Sequence, residues 1–157
     1  MSDKDIEKRH HKTFEELKRL ADGNVEFWYA RDLQVPLDYS SWDKFKRVIF
    51  KAITACENSG QVPDNHFSQV GKMVQLGSGS KREIEDYQLS RYACYLIVQN
   101  GDPSKPVIAN GQTYFAIQTR RQELADDEAF QRLKEDEKRI FLRNEMKEHN
   151  KKLVEAA

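Results

Sequence analysis

The sequence predicts an α+β fold: a mostly helical single domain with a small antiparallel β-ribbon and a long C-terminal helix. Three observations carry this. Trp42, Phe45, Val48, Ile49, Ala52, Ile53 and Cys56 recur at helical spacing on one stripe. Two short runs with apolar residues, one holding Val74 and Leu76 and the other Ile84 and Tyr87, flank Gly77-Ser78-Gly79-Ser80, whose composition suits a hairpin tip. From Asp126 to Ala157 a narrow apolar seam of Phe130, Leu133, Ile140 and Phe141 runs among alternating charges. With 157 residues the chain holds one sizeable core and is too short for two ordinary domains. A third of the residues are charged, yet a tenth are aromatic, which marks a folded chain.

The elements follow in order. Residues 1–12 are charged, contain no apolar stretch resembling a signal peptide, and are expected to be a flexible N-terminus. The first domain is expected over residues 13–123. It opens with a helix from Thr13 to Leu20, with Thr13 as cap, Glu16 three residues on, and an end at Asp22-Gly23. Val25 to Tyr29 reads as a strand, Ala30 to Leu33 as a helical turn, and Pro36 closes that unit. Ser41 caps the amphipathic helix, which Gly60 stops. After the ribbon, Ser90 opens a short helix through Gln99 that is apolar nearly all round, and Asn100-Gly101-Asp102-Pro103 breaks it. A helix from about Lys105 to Glu123 has Pro106 in its first turn and Gly111 inside it, where close helix packing is expected. Residues 124–157 form the long charged helix. It ends without a helix stop, so a further C-terminal region is expected to follow.

Acids and bases balance at 26 each, so no overall positive field announces a nucleic-acid binder, and such activity has to reside in a local patch. Lys44, Lys46, Arg47 and Lys51, with only Asp43 against them, make the polar face of the Ser41 helix locally basic, and Lys44, Arg47 and Lys51 are its candidate phosphate contacts. Lys72, Lys81 and Arg82 place further cations on the ribbon, and a basic projecting hairpin is the usual form of a wing beside a DNA-reading helix. Arg120 and Arg121 are a secondary pair, for which favourable interaction with a helix dipole is the structural explanation. All eight are expected DNA-binding residues, and a solvated charged face is the competing reading of each group.

Motifs for other chemistry are lacking. The ribbon tip does not have the spacing of a P-loop, and Ser41-x-x-Lys44 and Ser78-x-x-Lys81 come without the companion motifs of serine acyl-enzymes. His10, His11, His66 and His149 have no metal-ligand spacing with Cys56 or Cys94, which are expected to be packed as small hydrophobes. The acidic runs at 126–128 and 135–137 point in different directions on a helix. No catalytic residue, cofactor or metal is expected. The longest apolar run, Tyr92 to Val98, is far shorter than the roughly 20 residues of a membrane span.

LSRYACYLIVQNGDPSKPVIANGQTYFAIQTRRQEL, at Leu89 to Leu124, closely resembles the DNA damage-inducible protein D family, as do ACENSG, LGSGSKR and the tail from Ala125. This resemblance covers nearly the whole chain after residue 12. FWYARDL followed by DYSSWDKFKRVI is similar to the N-terminal DNA-binding domain of BRO proteins and phage antirepressors, except that Asp38 stands where that pattern has glycine. The first resemblance implies a bacterial protein of the SOS response, and the second implies a winged-helix-like fold with DNA binding as its theme.

Two functions are therefore expected side by side. One is a non-enzymatic, cytoplasmic or nucleoid-associated damage-response factor that binds DNA, single- or double-stranded, and modulates repair or transcription. The other is a regulator that recognises a recombinase filament or another repair protein without touching DNA. Self-association through the C-terminal helix is a further expectation, and no membrane partner is expected.

Overall fold

The computed structural model describes the backbone of residues 2–156 and the side chains of residues 2–151. It divides into two compact units, one ending at Phe115 and one beginning at Ala116. The architecture is α+β: helices around a small antiparallel sheet, and a long C-terminal helix.

The chain opens with helix α1 (Asp3–Glu15), so the stretch expected to be flexible is ordered, and the helix expected at Thr13–Leu20 lies mostly elsewhere. Two causes account for this. Ser2 and Asp5 form a reciprocal capping box, and Ile6, His10 and Phe14 recur every four residues and are buried. Histidine in the middle of that stripe hides its apolar character. Thr13 does not cap; its hydroxyl donates back to the Arg9 carbonyl at 3.0 Å. Leu20, expected in the helix, lies exposed in strand β1 (Arg19–Ala21).

Strand β2 (Val25–Tyr29) pairs antiparallel with β1 across a turn in which Gly23 and Asn24 take positive φ of 78° and 60°. Helix α2 (Ala30–Gln34) follows at once, as its sequence suggests. Helix α3 (Trp42–Asn58) is capped by Ser41, whose side chain accepts from the Lys44 amide, and it buries Phe45, Val48, Ile49, Ala52 and Cys56. After a 3₁₀ turn (Pro63–Asn65), strands β3 (Phe67–Gln75) and β4 (Lys81–Leu89) form the expected hairpin. The ribbon is larger than two strands. Trp28 and Tyr29 of β2 pair with Leu89 and Gln88, giving a four-stranded sheet in the order β1-β2-β4-β3.

Helix α4 (Arg91–Gln99), capped by Ser90, buries Ala93, Cys94, Ile97 and Val98. Helix α5 (Pro106–Ala156) is continuous, so the boundary expected between one helix ending at Glu123 and another beginning at Leu124 is absent. No glycine or proline occurs between Gln112 and Ala156, and a pair of aspartates costs a helix only tenths of a kcal/mol each. Gly111 is explained by α4: a Cβ there would stand 2.6 Å from Val98 Cγ1.

The core of the first unit is built on Trp28, Leu33, Leu37, Phe45, Ile49, Leu89, Ile97 and Ile108, all fully buried. Trp28 donates its indole N–H to the Phe14 carbonyl at 2.8 Å, which satisfies the one polar group of that side chain. Arg91 ties three elements together over the indole. Its guanidinium makes two 2.8 Å bonds to the Glu26 carboxylate of β2 and one of 3.0 Å to Glu15 of α1. These bonds hold both carboxyls below their ordinary range, through Arg91 at Glu26 and through Lys18 and then Arg91 at Glu15.

Candidate nucleic-acid interface

The turn between α2 and α3 sets the direction of the helix that carries three of the eight candidate cations. Leu37 and Tyr39 amides bond to the Leu33 and Gln34 carbonyls, and Asp38 takes φ +66°. This left-handed geometry is what a glycine adopts without cost and an aspartate tolerates. The Asp38 substitution therefore preserves the turn. Lys105 closes it from outside, its ammonium donating to the Asp38 carbonyl at 2.8 Å and standing 4.8 Å from the Tyr39 ring centroid.

The hairpin is fixed to α2 and α3 by a polar cluster that reading the sequence alone does not find. Asp86 of β4 is fully buried, and its Oδ1 accepts from the Arg31 amide at 3.0 Å and the Tyr87 amide at 2.8 Å. It thus serves the first turn of α2, whose own flanking residue Tyr29 has no capping side chain. Arg31 donates to the Glu85 carbonyl at 2.7 Å and lies 4.2 Å over the Trp42 ring. The Glu85 carboxylate takes the Trp42 indole N–H at 2.9 Å and an ion pair from Lys46. Lys46 holds that carboxyl below its usual range, and Glu85 in turn raises the ammonium.

Lys44, Arg47 and Lys51 are exposed on α3 at spacings of three and four, one stripe along the helix. Among the described residues none of the three has an ion-pair partner. Beside them a shallow groove of about 450 Å³ is lined by Arg47, Phe50, Lys51, Thr54, Asn58 and Asn100. Phe50 is 47% exposed there, an aromatic ring set between cations. The signal for these neighbours was present in the spacing, since residues 47, 50, 54 and 58 share one face.

The ribbon cations separate. The register pairs Lys72 with Ile84 and Val74 with Arg82, so Lys72 and Arg82 share one face of the hairpin, while Lys81 shares the other with Glu83 and Glu85. Lys72 is half-buried, 5.7 Å from the Tyr29 ring centroid, whereas Lys81 and Arg82 are exposed beside the Gly79 turn, φ +84°. Arg120 and Arg121 belong to the second unit, Arg120 paired with Glu123 at 3.3 Å. The structure thus gathers the three α3 cations in one stripe and distributes the remaining five over separate surfaces.

Cys56 and Cys94 are free and buried, and burial pushes both thiols up. Among the described residues, no group of three His, Cys, Asp or Glu comes together to hold a metal, and no helix is long and apolar enough to cross a membrane.

A short helix, a fixed turn, a basic-faced helix and a hairpin at its flank make up an α+β domain. Residues 16–116 match the BRO family, N-terminal domain, and the chain belongs to that family. It is also similar to the DNA damage-inducible protein D of Escherichia coli (strain K12), with 63% identity over 148 residues, 94% of this chain. Those residues are 54% of the relative, so the chain spans about half the length of the curated relative it matches. No solved structure matches.

Proposed function

We propose that this domain binds DNA through the exposed face of α3, with the hairpin tip at Lys81 and Arg82 as a second contact, and acts as a non-enzymatic factor in the response to damaged DNA. The observation that carries the reading is the stripe of Lys44, Arg47 and Lys51, exposed and without ion-pair partners among the described residues. Membership of the BRO family and similarity to a protein named for induction by DNA damage support it. Exposed cations with no internal partner are available to phosphate, and each phosphate neutralised releases counterions. Lys46 is committed to Glu85 and is not part of this surface. Lys72 and Arg120–Arg121 are subsidiary contacts.

Binding of a labelled duplex and a labelled single strand across a salt series tests this. The expected result is affinity that falls with salt, with a log-log slope reduced by about 0.9 on a duplex for each α3 cation replaced by alanine. An unchanged slope in the triple variant would remove α3 from the interface.

A protein partner, such as a recombinase filament, is the second reading. It is favoured by the even balance of 26 basic and 26 acidic residues and by the exposed carboxylate of Glu83 on the Lys81 face of the hairpin. Absence of binding to either nucleic acid at low salt would turn the account to that partner. Modulation of repair or of transcription, and a place in the cytoplasm at the nucleoid, follow from the DNA reading.

A further inference from the structure

Beyond residue 118 the second unit is a helix whose described apolar residues have no cover among the described residues. Residues 119–151 are exposed throughout, and Phe130, Leu133, Ile140 and Phe141 are 52%, 60%, 57% and 62% accessible. Single exposed apolar side chains need no explanation, but a row of them along one face does. Phe130, Leu133 and Ile140 fall on the seam of a 3.5-residue repeat, and Phe141 borders it.

The same seam read outward in both directions changes sign. Towards the N-terminus its next positions are Asp126 and Glu123, and towards the C-terminus, past Asn144, they are Lys147 and Lys151. This polarity selects an occupant. A parallel second copy in register would set Glu123, Asp126, Glu137, Lys147 and Lys151 each against itself, five like-charge contacts. An antiparallel second copy sets Glu123 against Lys147 and no seam charge against its like.

We infer that residues 116–151 of α5 form an antiparallel pair with the same helix of a second copy of this chain. In the register that satisfies the seam, Phe130 of one copy meets Ile140 of the other, Leu133 meets the stem of Glu137, and Glu123 meets Lys147. Asp126 then faces Asn144. The twofold axis passes near Glu135. Glu123 and Asp126 hold only local contacts within one chain, with Arg120 at 3.3 Å and Gln122 at 2.7 Å on the exposed helix surface, and these are weak enough to be shared or exchanged. The inference is independent of DNA binding, because it uses none of the cations of α3 or the hairpin.

The test uses the whole chain, whose native Cys56 and Cys94 are buried. Sedimentation and light scattering are expected to give a dimer, and Phe130→Lys with Ile140→Lys is expected to weaken it by about a hundredfold or more, as loss of a central apolar anchor does. Circular dichroism of that variant should keep its helix content, since both side chains are exposed. Orientation is read by oxidation: chains carrying E123C mixed with chains carrying K147C should cross-link with each other, and neither should cross-link with itself. A chain that is monomeric at the highest attainable concentration overturns the inference, as does E123C that cross-links with itself or a lysine variant that dimerises unchanged.

Discussion

Helices α3 and α5 beyond Ala116 are both highly charged and both carry apolar residues, yet they solve opposite problems. In α3 the apolar residues form a broad stripe that disappears into the core, Phe45 and Ile49 fully, and its exposed side carries Lys44, Arg47 and Lys51 beside Asp43, Glu57 and the half-exposed Phe50. In the tail the apolar seam is one or two residues wide and wholly accessible, and both signs of charge flank it. The width of the apolar face thus decides whether a helix is an internal strut or an open surface. Local patterning of the remaining charge, mainly basic on α3 and polarised along the tail, then points to the kind of partner each surface suits.

Truncation should separate the two helices most sharply. Phe45→Ala removes a fully buried ring and is expected to cost about 3–5 kcal/mol, read by denaturant unfolding, whereas Phe130→Ala should leave the unfolding of the first unit unchanged. Equal losses from the two would break the contrast between strut and open surface.

Acid should act on the first unit through His10. Its ring is buried, stacked 3.8 Å from the Tyr114 ring and set among Phe14, Tyr95 and Phe115, with neither nitrogen hydrogen-bonded. Burial lowers its pKa to about 4, with smaller help from His11 and Arg91. The neutral form is the one folded, so the unfolded chain binds the proton first. Stability is then complete above about pH 6.5 and falls as pH drops from 6.5 towards 4, by about 3 kcal/mol. The carboxyls of Glu15 and Glu26 respond only at lower pH, as protonation removes their bonds to Arg91. Thermal melts of wild type and His10→Phe at pH 7.5 and 5 check this: the variant should lose the dependence in that window.

Packing of α4 on α5 offers a smaller lever. Gly111→Ala forces a Cβ to within 2.6 Å of Val98 Cγ1 and should cost about 1–2 kcal/mol, while Ala116→Gly in the exposed helix should cost about 1. Asp38→Gly is the mildest change and runs the other way. At φ +66° glycine relieves strain, so the melting temperature should rise by a degree or two, with stability gained of up to about 1 kcal/mol.

What was legible in the sequence follows the same division. Elements whose apolar period is uninterrupted, α3 and α4, and the hairpin marked by Gly77-Ser78-Gly79-Ser80 stand where their residues place them. Helix α1 was hidden because its buried stripe contains His10, a residue read as polar, and β1 because its three residues are all exposed and follow no alternation. The α3 cations were visible as an unbalanced helix face. The cluster that anchors the hairpin was not, because Arg31, Trp42, Lys46, Glu85 and Asp86 come from three segments and meet only in the fold. Nor could the sequence alone divide Lys72 and Arg82 from Lys81, since that depends on strand register.

The central claim, that the α3 face is the surface that meets DNA, is tested most directly by following backbone amide resonances of the whole chain while an unlabelled DNA oligonucleotide is added at low salt. Shifts concentrated on residues 44–58 and on the hairpin tip at 76–82, absent when Lys44, Arg47 and Lys51 are replaced by alanine, are the expected result. No shift at saturating DNA, or shifts confined to residues 116–151, would contradict it.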